Sequence, residues 1–288
     1  MYKQYEVEEL KQVQKIQLEI MQVFSAFCDH WNLKYFLVFG TALGAVRHQG
    51  FIPWDDDIDI GMLREDYDRF IELSKEHLDP KYELLTPLIN SRYCSTVTHL
   101  QKKGTRFVSE FAKNLKCDLG INIDIFAYDY IIDEPKKQKK QMLMTYFYGR
   151  LLFLCGSGTP EIPLNGITGV IARIICYLVH GCLVLFHIKS TWIYRRLLKN
   201  SIKYNNIKRS KVTCFEDSTP WKNIMEIEDI FPLKEISFEG TMMKIPHNID
   251  KILVNTYGNY MELPPIEKRV NHMPVILDFG NEIYEHDN

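Results

Sequence analysis

The chain has 288 residues, 46% apolar and 25% charged, which is ordinary for a globular protein and long enough to bury a core without cross-links. Lys and Arg number 35 against 37 Asp and Glu, a formal net charge of −2, and this balance excludes bulk electrostatic adhesion to nucleic acid. The seven cysteines, an odd number with no Cys-x-x-Cys spacing, support neither a disulfide framework nor a zinc knuckle. With no apolar run behind a basic start at the N-terminus, the cytoplasm is the expected compartment.

Residues 5–31 read as a helix, with Val13, Ile16, Ile20, Val23, Phe24 and Phe27 at three- and four-residue spacing. Tyr35–Phe39 suits a buried strand ended by Gly40-Thr41, and 42–48 a short helix. Asp57–Met62 alternates acidic and apolar residues as a strand does, and 66–75 is helical. Strands are predicted at 82–85, 94–101 and 120–126, then a helix over 136–154, a loop over 156–169 and a strongly apolar helix over 170–192. Residues 199–211 read as an exposed basic connector, and 212–288 as short strands with a helix near 248–257. The order is α+β: a mixed sheet core flanked by helices, with an apolar helical insertion.

The most informative segment is Phe39–Met62, FGTALGAVRHQGFIPWDDDIDIGM. On a strand, Asp57 and Asp59 project from one face, and two carboxylates this close repel unless a cation lies between them. Hard oxygen ligands of this kind suit Mg²⁺ or Mn²⁺. Ile58, Ile60 and Met62 alternate with them and bury the strand, so the acids need a partner. Asp55 and Asp56 precede the strand, where a turn role competes with direct chemistry. Gly40-Thr41 opens a helix whose free N–H groups suit a phosphate, Gly permitting close approach and Thr adding a hydroxyl. Asp124, alternating with Ile123 and Ile125, is the best third carboxylate, ahead of Asp118, Asp129 and Asp133.

At these residues the sequence closely resembles the LicD family, whose Gly-Thr-x-Leu-Gly-Ala-x-Arg-His turn and Phe-Ile-Pro-Trp-Asp-Asp-Asp-Ile-Asp strand read here as GTALGAVRHQGFIPWDDDID over 40–59. The resemblance continues at Asp124–Phe126, FEG (238–240), IPHNIDKIL (245–253), YGNYMELPP (257–265) and His272, and departs at Ala127-Tyr128, where the family has Pro-Leu. It implies a nucleotidyltransferase-like fold and Mg²⁺-dependent transfer of phosphocholine, or a related phospho-alcohol, from CDP-choline or a similar CDP-alcohol. The acceptor would be a sugar hydroxyl of a teichoic acid, a lipopolysaccharide or a lipid-linked precursor, and CMP would leave. The catalytic regions of fukutin and fukutin-related protein look similar.

Carried over residue by residue, Asp57, Asp59 and Asp124 are the expected metal-binding and catalytic acids, and Gly40 and Thr41 the phosphate turn. Arg47, His48 and His272 are expected to bind substrate, and Trp54 is the first candidate for a choline cage. One LicD-like catalytic domain spans 1–288, divided into a core (1–135), a helical segment (136–211) and a segment closing the site (212–288). Ile167–Ile188 is long enough to cross a bilayer but contains Arg173 and His180. We read it as lying on an anionic inner membrane face, with a core helix and a spanning helix as alternatives. Transfer of the nucleoside monophosphate itself is the competing chemistry. An inactive glycan- or lipid-binding module is the reading from another class.

Overall fold

The computed structural model describes residues 5–160, 162, 164–280 and 283–285. The chain opens with α1 (Val7–His30), β1 (Phe36–Leu37), α2 (Phe39–His48), β2 (Asp59–Leu63), α3 (Arg64–His77), β3 (Tyr82–Leu85), β4 (Thr98–Lys102), β5 (Arg106–Val108) and β6 (Asn122–Tyr130). Three helices follow, α4 (Pro135–Gly156), α5 (Gly166–Leu185) and α6 (Ser190–Ser201). The remainder is β7 (Lys211–Cys214), β8 (Met225–Glu226), α7 (Ile227–Ile230), β9 (Lys234–Phe238), β10 (Thr241–Ile245), α8 (Ile249–Tyr257), β11 (Ile276–Asp278) and β12 (Ile283–Glu285).

The main sheet runs β1-β2-β6-β4-β3, with β7 and then β8 attached to β6. β2 and β6 are parallel, while the other pairs in this sheet are antiparallel. The long strand β6 therefore meets β4 along its first half and β7 along its second. The architecture is the expected α+β one, a mixed sheet flanked by helices.

Alternation divides this sheet into two faces. Ile58, Ile60, Ile123 and Ile125 are fully buried against Ile16, Ile20 and Phe24 of α1. The opposite face carries Phe36, Val38, Phe126 and Tyr128 in a second apolar cluster, and it also carries Asp59 and Asp124. Gly61 is required on that face: a Cβ there would lie 2.6 Å from the Phe36 ring and 2.8 Å from that of Tyr128.

Several boundaries differ from the sequence expectation: among them, β4 begins at Thr98, β6 runs on to Tyr130 and α5 begins at Gly166. Pairing of β2 begins at Asp59, so Asp57 belongs to the approach rather than to the strand. α2 begins at Phe39, which places Gly40 and Thr41 within its first turn. The single helix expected over 170–192 is two, broken at 186–189, where His187 turns in the left-handed region at φ 51°. The connector expected over 199–211 is helical through Ser201. Two residues of the 156–169 loop, 161 and 163, lie outside the described residues.

A buried ion network ties the second half of β6 to its surroundings. Arg64, the first residue of α3, donates from Nε to Asp129 Oδ1 (2.9 Å) and from Nη2 to Asp129 Oδ2 (2.8 Å). Its Nη2 also lies 3.5 Å from Glu216 Oε1, and Asn205 Nδ2 donates to Asp129 Oδ1 at 2.6 Å. Glu216 Oε2 accepts the Ala127 N–H at 2.8 Å, a bond that a proline at 127 lacks the hydrogen to make. Removing one partner of such a pair leaves an uncompensated buried charge. Arg64→Leu is therefore expected to lower unfolding stability by about 3–5 kcal/mol in urea titrations, and a loss below about 1 kcal/mol would contradict this.

Candidate active site

The register of the sheet builds the site. Asp59 lies opposite Asp124 across the parallel pair, and Asp124 lies opposite His99 across the antiparallel one. Asp59, Asp124 and His99 thus form a row over three adjacent strands. Asn122 Nδ2 donates to Asp124 Oδ1 at 2.6 Å, and His99 Nε2 lies 3.3 Å from the same oxygen.

The segment leading into β2 is held from behind by α1. Gln14 Nε2 donates to the Asp55 carbonyl (2.8 Å), and Gln17 Nε2 to the carbonyls of Asp56 (2.7 Å) and Asn122 (3.2 Å). The fully buried Asp56 carboxylate accepts the Tyr5 hydroxyl at 2.7 Å and the His272 N–H at 2.9 Å. Asp56 is thus a clamp, and Asp55 and Asp57 on either side of it reach the site. Ligand atoms of Asp55, Asp57 and His272 lie within 4.8 Å of one another. His272 Nδ1 stands 3.3 Å from Asp56 Oδ1 and 3.6 Å from Asp57 Oδ2.

Electrostatics follow from this crowding. Burial and the neighbouring acids Asp57 and Asp56 push the Asp55 carboxyl up to about 8. Asp57 rises to about 6 through burial, with Asp56 and Asp124 adding to the shift and His272 opposing it. Burial lifts Asp124 to about 7. Asp59 is raised well above the usual range by burial, then by Asp57, Asp124 and Asp55. His272 rises to about 9, chiefly through its hydrogen bond to Asp56, and is the cation beside these acids. Burial lowers His99 to about 4, so its ring is neutral at physiological pH.

α2 delivers its first turn to the same place. Only Val38 separates β1 from α2, and the chain makes this turn with Phe39 at φ 48°, a conformation uncommon for an aromatic residue. The first N–H groups of a helix lack intrahelical partners. Thr41 Oγ1 accepts the Asp59 N–H at 2.7 Å, which ties this turn to β2. Gly40 is needed for close approach, since a Cβ there would stand 2.8 Å from Asp55 Oδ2.

Arg47 and His48 lie in the last turn of α2, at the opposite end from Gly40. Arg47 Nε donates to His48 Nε2 (2.9 Å) and Nη1 to the Tyr260 carbonyl (2.8 Å). The His48 and Trp54 rings meet edge-on at 6.5 Å, and the Arg269 guanidinium covers the Trp54 ring at 4.7 Å. The structure therefore gathers Asp57, Asp59, Asp124, His272, Gly40 and Thr41 at one end of α2, and Arg47, His48 and Trp54 nearer the other. One face of Trp54 already carries a cation.

A cavity of about 380 Å³ opens beside the acids, lined by Asp56, Asp57, Asp124, His99 and His272 and by the rings of Tyr93, Phe107 and Phe153. Gln17 Oε1 and His99 Nδ1, two buried polar atoms without a protein hydrogen-bond partner, belong to residues that line it. Carboxylates that bind protons so readily, next to unpaired buried acceptors, form a donor set that fits a hard divalent ion. Sequence reasoning missed His99, whose role depends on β4 register. It also missed Asp217, in the loop after β7, whose charge acts on Asp59.

These proton affinities predict a pH dependence. In the metal-free protein the native acids hold protons that the unfolded chain releases near pH 4, so stability falls as pH rises from about 4 to about 8. The contribution of His272, whose folded value is also raised, is lost in the same direction, as pH passes about 9. With chelator present, melting temperature should drop between about pH 5 and about pH 9, and the drop should be smaller in Asp55→Asn. Mg²⁺ should restore more at the higher pH. Equal drops in the two proteins would contradict the crowding.

Residues 32–142, which include β1 to β6 and this row of acids, match the family described as LicD/FKTN/FKRP, nucleotidyltransferase domain. The chain is 29% identical over 267 residues to the lipopolysaccharide cholinephosphotransferase LicD of Haemophilus influenzae, covering 91% of this chain and 95% of that protein. Uncharacterized proteins of two rickettsiae match locally. That of Rickettsia prowazekii is 50% identical over 54 residues (19% of this chain, 18% of that protein). That of Rickettsia typhi is 44% identical over 71 residues (25% and 22%). The chain is a phosphotransferase enzyme that is similar to LicD along nearly its whole length and matches the LicD/FKTN/FKRP nucleotidyltransferase domain over residues 32–142.

Proposed function

We propose that this phosphotransferase moves phosphocholine, or a related phospho-alcohol, from CDP-choline or a similar CDP-linked donor to a sugar hydroxyl of a cell-surface glycan precursor, releasing CMP. The acceptor class in this reading is a lipopolysaccharide or a teichoic acid. The observation that carries it is the crowded row of carboxylates beside a cavity lined by aromatic rings. Carboxylates with aromatic faces are the surroundings that a quaternary ammonium takes. Tyr93, Phe107 and Phe153 are better placed for this than Trp54, whose ring face Arg269 covers.

We assign Asp57, Asp59 and Asp124 to a divalent ion, Mg²⁺ or Mn²⁺, which when bound would neutralise the diphosphate and ease departure of CMP. The first turn of α2 at Gly40 and Thr41 receives a donor phosphate through its free N–H groups. Thr41 Oγ1 already accepts from Asp59, so the hydroxyl serves the donor through its proton. Asp124 or Asp59 takes the proton of the attacking sugar hydroxyl. His272 holds Asp57 in place and offsets the charge of the cluster. Arg47, His48 and Trp54 form an outer group for the substrate. The core (1–135) supplies the acids, the helical segment (136–211) faces the membrane, and the C-terminal segment (212–288) closes the site over His272. We place the protein in the cytoplasm, peripheral on the inner face of the membrane.

Asp57→Asn and Asp59→Asn should each keep the fold and lose at least about a hundredfold in turnover, on the order of 3 kcal/mol. Retention of more than about a tenth of wild-type activity would contradict the assignment. With labelled CDP-choline, CMP should appear only when an acceptor is present. Nucleotide attached to the acceptor, with choline phosphate released, would mean transfer of the nucleoside monophosphate instead.

A further inference from the structure

The helices between β6 and β7 carry a charge and an apolar surface unlike the rest of the chain. Residues 136–211 contain fourteen Lys and Arg against one Glu, which leaves twenty-one basic and thirty-six acidic residues elsewhere. α5 touches the protein along a narrow stripe: Gly169 and Leu183 are buried, Val179 packs beside Leu152 of α4 and Ile193 of α6, and His180 Nδ1 is 2.7 Å from the Leu154 carbonyl. The most apolar window of the helix is only 11% buried, which overturns the core-helix alternative. Ile174, Ile175 and Leu178 are each more than half exposed, as are Val184, Leu185 and Phe186 at its end. Leu143 and Phe147 of α4 and Trp192 of α6 are also exposed. Lys189, Arg195, Arg196 and Lys199 are exposed just after α5, and Arg173 within it. Monomeric soluble proteins rarely leave so large an apolar surface bare, and a rim of cations suits anionic headgroups.

A groove of about 560 Å³ runs beside this helix, lined by Thr96, Tyr146, Arg150 and Cys176 among others. It meets the acidic cavity at Ser95 and Phe153, which line both. The groove beside α5 and the cavity at Asp57 and Asp124 are thus neighbours across Ser95 and Phe153.

We propose that the exposed face of α5, framed by the cations of α6, docks on an anionic lipid bilayer and holds this groove against it. A lipid-anchored glycan then reaches the acids without leaving the membrane. The passage of the glycan rests on the transferase reading given above, whereas the docking does not.

The test uses the full chain with vesicles containing phosphatidylglycerol and, as the neutral control, vesicles of phosphatidylcholine alone. The protein should sediment with the first at low salt, not with the second, and high salt should release much of it. Cys182, an exposed thiol on α5, should be shielded from a water-soluble maleimide only when the anionic vesicles are present. Ile175→Glu combined with Leu178→Glu should weaken vesicle binding about tenfold or more while leaving thermal stabilisation by CDP-choline and Mg²⁺ unchanged. Failure of the wild type to bind, equal binding to neutral vesicles, undiminished binding of the double variant, or release only by detergent would each overturn the proposal. So would Cys182 shielding in a dimer without lipid, since a second copy would then cover the face. Docking that persists while the transfer assay fails would count against the transferase reading alone.

Discussion

Repulsion among carboxylates where β2 and β6 begin is the constraint on which the rest of the site depends. Asp55, Asp57, Asp59 and Asp124 all bind protons more tightly than free carboxyls do, because burial raises all four and neighbouring acids add to it at Asp55, Asp57 and Asp59. The fold holds them together nonetheless. α1 fixes the backbone of 55–56 by two glutamines, β2 and β6 set Asp59 against Asp124, and α2 brings Gly40 up to Asp55. His272 offsets part of this charge. An arrangement that costs stability when empty suits a cation and a polyanionic substrate, whose binding relieves the cost.

The sheet keeps this strain apart from what stabilises it. Behind the acids its α1 face packs Ile58, Ile60, Ile123 and Ile125, so the acids can crowd the other face without loosening the core. Beyond the acids, the Arg64–Asp129–Glu216 network secures the far half of β6 and sends one carboxylate oxygen to the Ala127 N–H. A proline at 127 would lack the hydrogen for this bond, so the bond goes with the alanine found there.

Much of the site was legible in the sequence because it is local. One segment, Phe39–Met62, holds the turn, the helix, Asp57 and Asp59, and their alternation with Ile58, Ile60 and Met62 marks the buried face. Asp124 was legible for the same reason. What depended on register or on distant contacts was not. His99 enters the row only because β4 pairs with β6 at one particular offset. The division of labour between Asp55, Asp56 and Asp57 depends on Tyr5 and His272, which stand 51 and 216 residues from Asp56. Hydropathy suggested one helix through Trp192, since the apolar run conceals the left-handed turn at His187 that separates α5 from α6.

The central claim is that these carboxylates exist to share a divalent cation. Anomalous diffraction from a crystal grown with Mn²⁺ tests it directly. The account predicts a peak about 2 Å from oxygens of Asp57 and Asp59, on the Asp124 side of the row. Carboxyls still hydrogen-bonded to one another with no peak between them, or a strong peak elsewhere in the chain, would contradict it.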